Sequence, residues 1–327
     1  MKAWQIHTLG APKDALVLDE LAVPTPGPSQ VVVKVLAAAA NFADTLLCKG
    51  EYQMRPELPF TPGIEMCGEI TGVGSDVARW RVGDRVLGIP EFPRGGFAEY
   101  AVLDGNAILP APDTLDDAEA ASLLVGYQTG WVGLVRRAAL RPGETLLVHA
   151  AAGGVGSAAV QLGNALGATV IGVAGGPSKA DFVRQLGADV VVDRRSESFV
   201  DVVKEVTGGR GADVIYDPVG GDTYDQSTKC VAFEGRILVV GFAGGRIEAP
   251  ALNHCLVKNY SIVGLHWGLY AQRNPGVILE CHEELRRLAA EGRIKPFVSE
   301  RLCLADVPDG LTRLATGETV GRLVFLP

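Results

Sequence analysis

Residues 145–174 read TLLVHAAAGGVGSAAVQLGNALGATVIGVA. The apolar run at Leu146–Val148 has the character of a strand buried on both faces. Glycines follow it, then a helical pattern, then a second apolar run at 169–174. A strand, a glycine turn, a helix and a strand in that order form the βαβ unit that binds dinucleotides. At such a turn Gly153 lets the backbone approach a pyrophosphate, and Gly156 lets the helix pack on the strand. The free N–H groups of the helix start, around Gly154 and Val155, face the negative charge. Ala151 stands where GxGxxG has its first glycine. The alternative reading is a tight βα turn of some other α/β protein.

The second strand bears on the choice of dinucleotide. NAD-binding units place an Asp or Glu about 20 residues on, to accept from the ribose 2′-hydroxyl. Here that position is Gly175, within the segment VAGGPSK that also holds Ser178 and Lys179. A 2′-phosphate needs room and positive charge, and Lys179, Arg194 and Arg195 follow the second and third strands. The expectation is NADPH; taken singly, each of these cations also reads as an ordinary solvated charge.

Outward from this unit, residues 145–264 alternate apolar runs with helical stretches, which means βαβ units and a parallel sheet covered on both faces. Gly167, Gly187 and Gly208-Gly209 fall just past amphipathic stretches and mark helix ends. The first 120 residues read differently, as short alternating runs broken by Pro and Gly, the pattern of an antiparallel, barrel-like β domain with a short helix starting near Asn41 or Phe42. The texture changes near Ala118 to a helical stretch ending at Arg141-Pro142-Gly143. The tail, from Asn274, reads as helix, strand, helix and strand, and is expected to fold back on the first domain. The fold class is thus α/β, with a doubly wound parallel sheet inserted in a β domain. Its expected bounds are 1–122 with 266–327 for the β domain and 123–265 for the parallel-sheet domain.

Composition narrows the function. The 327 residues carry a net charge of −8, which argues against a long basic nucleic-acid surface. No apolar run reaches the ~18–20 residues needed to span a bilayer, and MKAWQIHTLG lacks the pattern of a secretory leader. The six cysteines are scattered, with no CxxC pair, so free thiols in a reducing, cytoplasmic setting are expected.

Several motifs in order, ANFADTLLCKGEY, PGIEMCGEITGVGSDV, VGDRV, GGFAEY, HAAAGGVGSAAVQLGNALGA and VGLHWG, resemble the medium-chain dehydrogenase/reductase superfamily. Within it they resemble the zinc-independent quinone oxidoreductases related to zeta-crystallin, over nearly the whole chain. The resemblance implies a Rossmann domain inserted in a GroES-like β-barrel domain, with the active site in the cleft. It also implies that Asn41 and Tyr52 donate hydrogen bonds to the acceptor oxygen, and that Asp44 organises the Asn41 loop. Thr129, the loop Gly241, Phe242, Ala243, and the backbone around Leu265 and His266 would line the nicotinamide. The zinc ligands of the related alcohol dehydrogenases fall at Asn41, Ile64 and Val125, none of them a Cys or His, so no metal is expected. Cys48, Glu65 and Cys67 remain as other donors, but read better as core and scaffold. His149 reads as a satisfied buried histidine.

This sequence departs from some quinone-reductase relatives at Leu46 and at Arg194, where they have tyrosines; the second change favours a 2′-phosphate. The implied activity is hydride transfer from NADPH to a quinone. The alternatives are an alkenal, enone or enoyl-thioester reductase of the same fold, and an NADPH-binding structural or RNA-associated protein. The partner is a small electron-poor acceptor, with neither nucleic acid nor membrane. The resemblance also implies a homodimer paired edge to edge through Tyr260–Gly264.

Overall fold

The computed structural model describes residues 1–247 and 249–327. They divide into two compact units, residues 1–124 with 295–327, and residues 125–294. The first crossover lies within two residues of the expected one. The second differs: segment 266–294, expected with the β domain, groups with the parallel sheet. This segment carries the long helix Pro275–Ala290, which buries Val277, Ile278, Cys281, Leu285 and Leu288.

The first unit is organised around the ten-residue strand Gln30–Ala39. Met66–Val73 pairs antiparallel along one flank of it. On the other flank Tyr100–Asp104 pairs with its first half and Arg322–Leu326 with its end, at Phe325↔Ala38 and Val324↔Ala39. The chain's last strand is therefore built into the same sheet as the strand Gln30–Ala39. Val31, Val33, Ala37, Ala38, Ala39 and Phe325 are all fully buried.

The second unit is a six-stranded, all-parallel sheet in the order Val190–Asp193, Thr169–Ala174, Thr145–Val148, Ala212–Asp217, Val231–Val239, Ser261–Gly264. The chain starts in the middle, runs to one edge, returns and runs to the other, the doubly wound topology. Register aligns Ile171, Leu147, Ile215 and Ile237 in one row across four strands, each with no exposed surface. Burying side chains of this size contributes roughly 1.5–3 kcal/mol each, so the row ties the central strands into one core.

Two local features were not expected. The stretch from Ala118 breaks into Asp117–Ala121 and Leu124–Trp131 and then widens into a π-helix over Val132–Arg137. A further helix, Leu252–Lys258, joins the last two strands of the parallel sheet. It has no buried residue, so it lacks the apolar periodicity that reveals helices packed on a core.

Candidate functional site

In the second unit the first strand ends at Val148 and the chain turns tightly into the helix Gly154–Ala165, with Gly153 as its N-cap. The left-handed residue of the turn is Ala150, at φ 47°, one position before the Ala151 singled out from the motif. Gly153 N–H closes the turn on the Ala150 carbonyl at 2.9 Å. A Cβ on Gly156 would lie 2.2 Å from that carbonyl oxygen and 2.9 Å from Ala151 Cα. Only glycine lets the helix start this close to the strand end. The first-turn amides, including those of Gly154, Val155 and Gly156, have no intrahelical acceptor, and the helix dipole adds positive potential there.

The next strand, Thr169–Ala174, leads into Gly175 and Gly176. Around them the cations expected from the sequence come together. The Arg194 side chain lies against Gly175, its Nε 3.1 Å from where a Cβ would be, and Arg195 lies as closely over Gly176, at φ +97°. Lys179, on the first turn of Pro177–Gln185, has its pKa lowered by burial and by the charges of Arg195 and Arg194. Like charges gathered this closely disfavour one another's charged form. Ser178 is exposed on the same turn. The sequence reading did not use Asp193, whose carboxylate accepts from Gly176 N–H at 2.7 Å and Arg195 N–H at 3.0 Å. These bonds keep its pKa low. The carboxylate binds the two turns together and thereby positions the arginines.

The loops after the fifth and sixth strands are held by strand-end bonds: Ala243 N–H to Pro218 O at 3.0 Å and Leu265 N–H to Val239 O at 3.1 Å. Phe242 and His266 are exposed, and Thr129 is buried on Leu124–Trp131. Apart from Thr129, every residue expected to hold the dinucleotide therefore follows the carboxyl end of a strand of one parallel sheet, where open α/β sheets bind ligands. The sequence reading missed the loop after the fourth strand. There Asp217 Oδ1 accepts from Val219 and Gly220 N–H, both at 2.9 Å, beside the point where the strand order reverses. The signal available was DPVGG directly after an apolar run. These residues fit a dinucleotide: a cradle that a Cβ would fill, a helix N-terminus, and three cations around a glycine pair.

In the first unit Asn41 opens the helix Phe42–Lys49. Its amide Nδ2 donates to Glu65 Oε2 at 2.8 Å and to the Ala39 carbonyl at 3.2 Å, and its Oδ1 accepts from Arg322 Nη1 at 3.0 Å. Arg322 also forms an ion pair with Glu65 through Nη2. Asp44 accepts three backbone N–H bonds, from Asn41 at 2.8 Å, Gly63 at 3.1 Å and Ile64 at 3.2 Å. Asn41, Asp44, Glu65 and Arg322 are all buried. Burial pushes the Asp44 carboxyl up to about 7, against the pull of the three N–H groups and with a further push from the Glu65 charge.

Both side-chain N–H groups of Asn41 already donate within this unit. Tyr52 differs. It is half-buried, its pKa raised by burial and by Asp44, and no hydrogen bond from its hydroxyl occurs among the described residues. Leu46, half-buried, lies on the same helix as Asp44. Sequence reasoning found Asn41, Asp44 and Glu65 but missed Arg322, which is 281 residues from Asn41 and is brought to it by the last strand.

The remaining candidates have structural roles. His149 Nε2 is 2.8 Å from Ser227 Oγ and its ring stacks edge-on against Phe199, with burial lowering its pKa to about 3. Burial pushes the Cys48 and Cys67 thiols up to about 12, far from thiolate chemistry. A zinc ion does not fit the residues at the three superfamily ligand positions. Ile64 and Val125 carry no donor atom, and the Asn41 amide is taken up by Glu65, Ala39 and Arg322.

Together the fold and these side chains define a two-unit, dinucleotide-binding oxidoreductase. Residues 27–113 match the alcohol dehydrogenase GroES-like domain, and residues 154–283 match the zinc-binding dehydrogenase model. The chain is 41% identical over 99% of its length to the quinone oxidoreductase-like protein 2 homolog of Nematostella vectensis, covering 88% of that protein. The structure of Escherichia coli quinone oxidoreductase complexed with NADPH superposes with a TM-score of 0.92 at 30% identity, over 100% of both chains. The CurK enoyl reductase structure superposes with a TM-score of 0.88 at 26% identity, over 99% of this chain and 98% of that one. The chain belongs to the medium-chain dehydrogenase/reductase superfamily and, within it, to the quinone oxidoreductase family.

Proposed function

We propose that this protein is an NADPH-dependent, zinc-independent reductase that delivers hydride to a quinone. The observation that carries the reading is the cluster of Lys179, Arg194 and Arg195 around Gly175 and Gly176, at the place where an NAD-specific unit would present a carboxylate. NADPH, the cofactor in the related Escherichia coli structure, supplies the hydride. The chain's own part is to bind and position. The Gly153–Gly156 turn takes the pyrophosphate, the three cations take the 2′-phosphate, and the loops at Gly241–Ala243 and Leu265–His266 with Thr129 hold the nicotinamide end. The Tyr52 hydroxyl donates to the acceptor oxygen as negative charge develops there. The Asn41–Glu65–Arg322 network fixes the backbone of that region without touching the acceptor.

A second reading, reduction of an enone or enoyl thioester, is favoured by Leu46, which stands where some quinone-reducing relatives have a tyrosine, and by the likeness to the CurK enoyl reductase. Turnover separates the two: NADPH oxidation with benzoquinone and naphthoquinone but not with alkenals or cyclic enones supports the first, and the reverse supports the second. Tyr52→Phe lowers kcat/KM about 100-fold with NADPH affinity unchanged, the usual scale for one lost oxyanion donor. An unchanged kcat/KM removes Tyr52 from the chemistry.

A further inference from the structure

Thr61 and Arg94 are partners across a parallel bridge in the first unit. Thr61 N–H donates to the Pro93 carbonyl at 2.9 Å, and Gly95 N–H donates to the Thr61 carbonyl at 3.1 Å. Bridge partners project their side chains to the same side of the pleat. Thr61 is 1% exposed, and its hydroxyl has no hydrogen-bond partner among the described residues. The Arg94 Nη1 is likewise buried and unpartnered. A buried donor left unpaired is costly, and a charged one more so. Two such donors side by side, one of them cationic, call for a common acceptor.

We propose that Arg94 and Thr61 form a subsite for a carboxylate carried by the electron-poor acceptor, an inference that rests on the acceptor reading above. One guanidinium and one hydroxyl suit a monoanion; a phosphate dianion would call for more donors. The pair also stands close in the chain to the reacting region: two residues after Thr61 begin the amides of Gly63 and Ile64, which hold Asp44 of the Asn41 helix. The protein would then favour quinone or enone acids over their uncharged parents.

Two measurements test the subsite, one of them free of redox chemistry. In calorimetry without NADPH, 2-naphthoate is expected to bind about tenfold more tightly than naphthalene-2-carboxamide, with the gap narrowing as salt rises. Arg94→Gln and Thr61→Val should each shrink that ratio, and Arg94→Lys should keep part of it. In turnover, 1,4-naphthoquinone-6-carboxylate should show a lower KM than 1,4-naphthoquinone. Equal binding of naphthoate and carboxamide by the wild-type protein overturns the proposal whether or not the variants fold. So does a full preference that survives in a folded Arg94→Gln protein. Turnover of both quinones with the same KM rejects the subsite alone, whereas tight, Arg94-dependent naphthoate binding with no quinone turnover rejects the acceptor reading alone.

Discussion

Asp44 and Arg322 show how much depends on single side chains. The folded carboxyl of Asp44 lies near 7 against an ordinary value of 3.8, so between those values the native state holds a proton that the unfolded chain has lost. Its contribution to stability is complete below about pH 4 and is lost as pH rises through 7, with a slope of up to about 1.4 kcal/mol per pH unit. Because His149, held near 3, contributes a rise over part of the same range, the test is a difference: in urea denaturation from pH 4 to pH 8 the wild-type protein should lose stability relative to Asp44→Asn, and a difference that stays flat would refute the assignment. Glu65→Gln leaves the buried Arg322 guanidinium without its counter-ion and should cost about 3–5 kcal/mol in the same experiment. Asn41, Asp44 and Glu65 were visible in the sequence because they sit in recognisable motifs. Their joint arrangement was not, because the cation completing it comes from the far end of the chain and nothing local to GRLVFLP marks Arg322 as buried.

At the level of elements, the strand–turn–helix of residues 145–165 was legible because its physics is local. A buried apolar run, a glycine wherever a Cβ would strike a carbonyl, and a helical pattern lie next to one another in the chain. Gly156→Ala would place a methyl 2.2 Å from the Ala150 oxygen, so the turn has to open. NADPH affinity should fall at least about tenfold in a fluorescence titration, the scale of one lost charge-assisted contact; unchanged affinity would separate the turn from the cofactor. Ile215→Ala, in the middle of the row across the sheet, should cost about 2–5 kcal/mol. The helix Leu252–Lys258 and the π winding of Val132–Arg137 escaped the sequence reading for different reasons. The first buries nothing and so shows no one-sided apolar stripe, and the second lies inside the stretch read as helical, where the wider winding leaves no separate mark in the sequence.

For the whole molecule, the two-unit organisation followed from the change of texture near Ala118, whereas the second boundary did not, because helix Pro275–Ala290 carries an apolar stripe that could serve either unit. The outer edge of the parallel sheet, Ser261–Gly264, stands near exposed Phe233, Leu252, Leu256 and Val257. An apolar edge of this kind is normally paired or covered. A homodimer through this edge is the expected state in sedimentation, and Leu256→Glu should shift it toward monomer; a wild-type monomer would contradict it. No helix among the described residues is long and apolar enough to cross a membrane. All six cysteines are free.

The measurement that bears most directly on the central claim is cofactor oxidation by protein treated with chelator, followed with NADPH and NADH in turn against 1,4-naphthoquinone, and repeated with Arg194→Ala. The account predicts turnover that the chelator leaves intact, a clear preference for NADPH, and a loss of about tenfold or more of that preference in the variant. A preference for NADH, or turnover that disappears with the chelator, would contradict it.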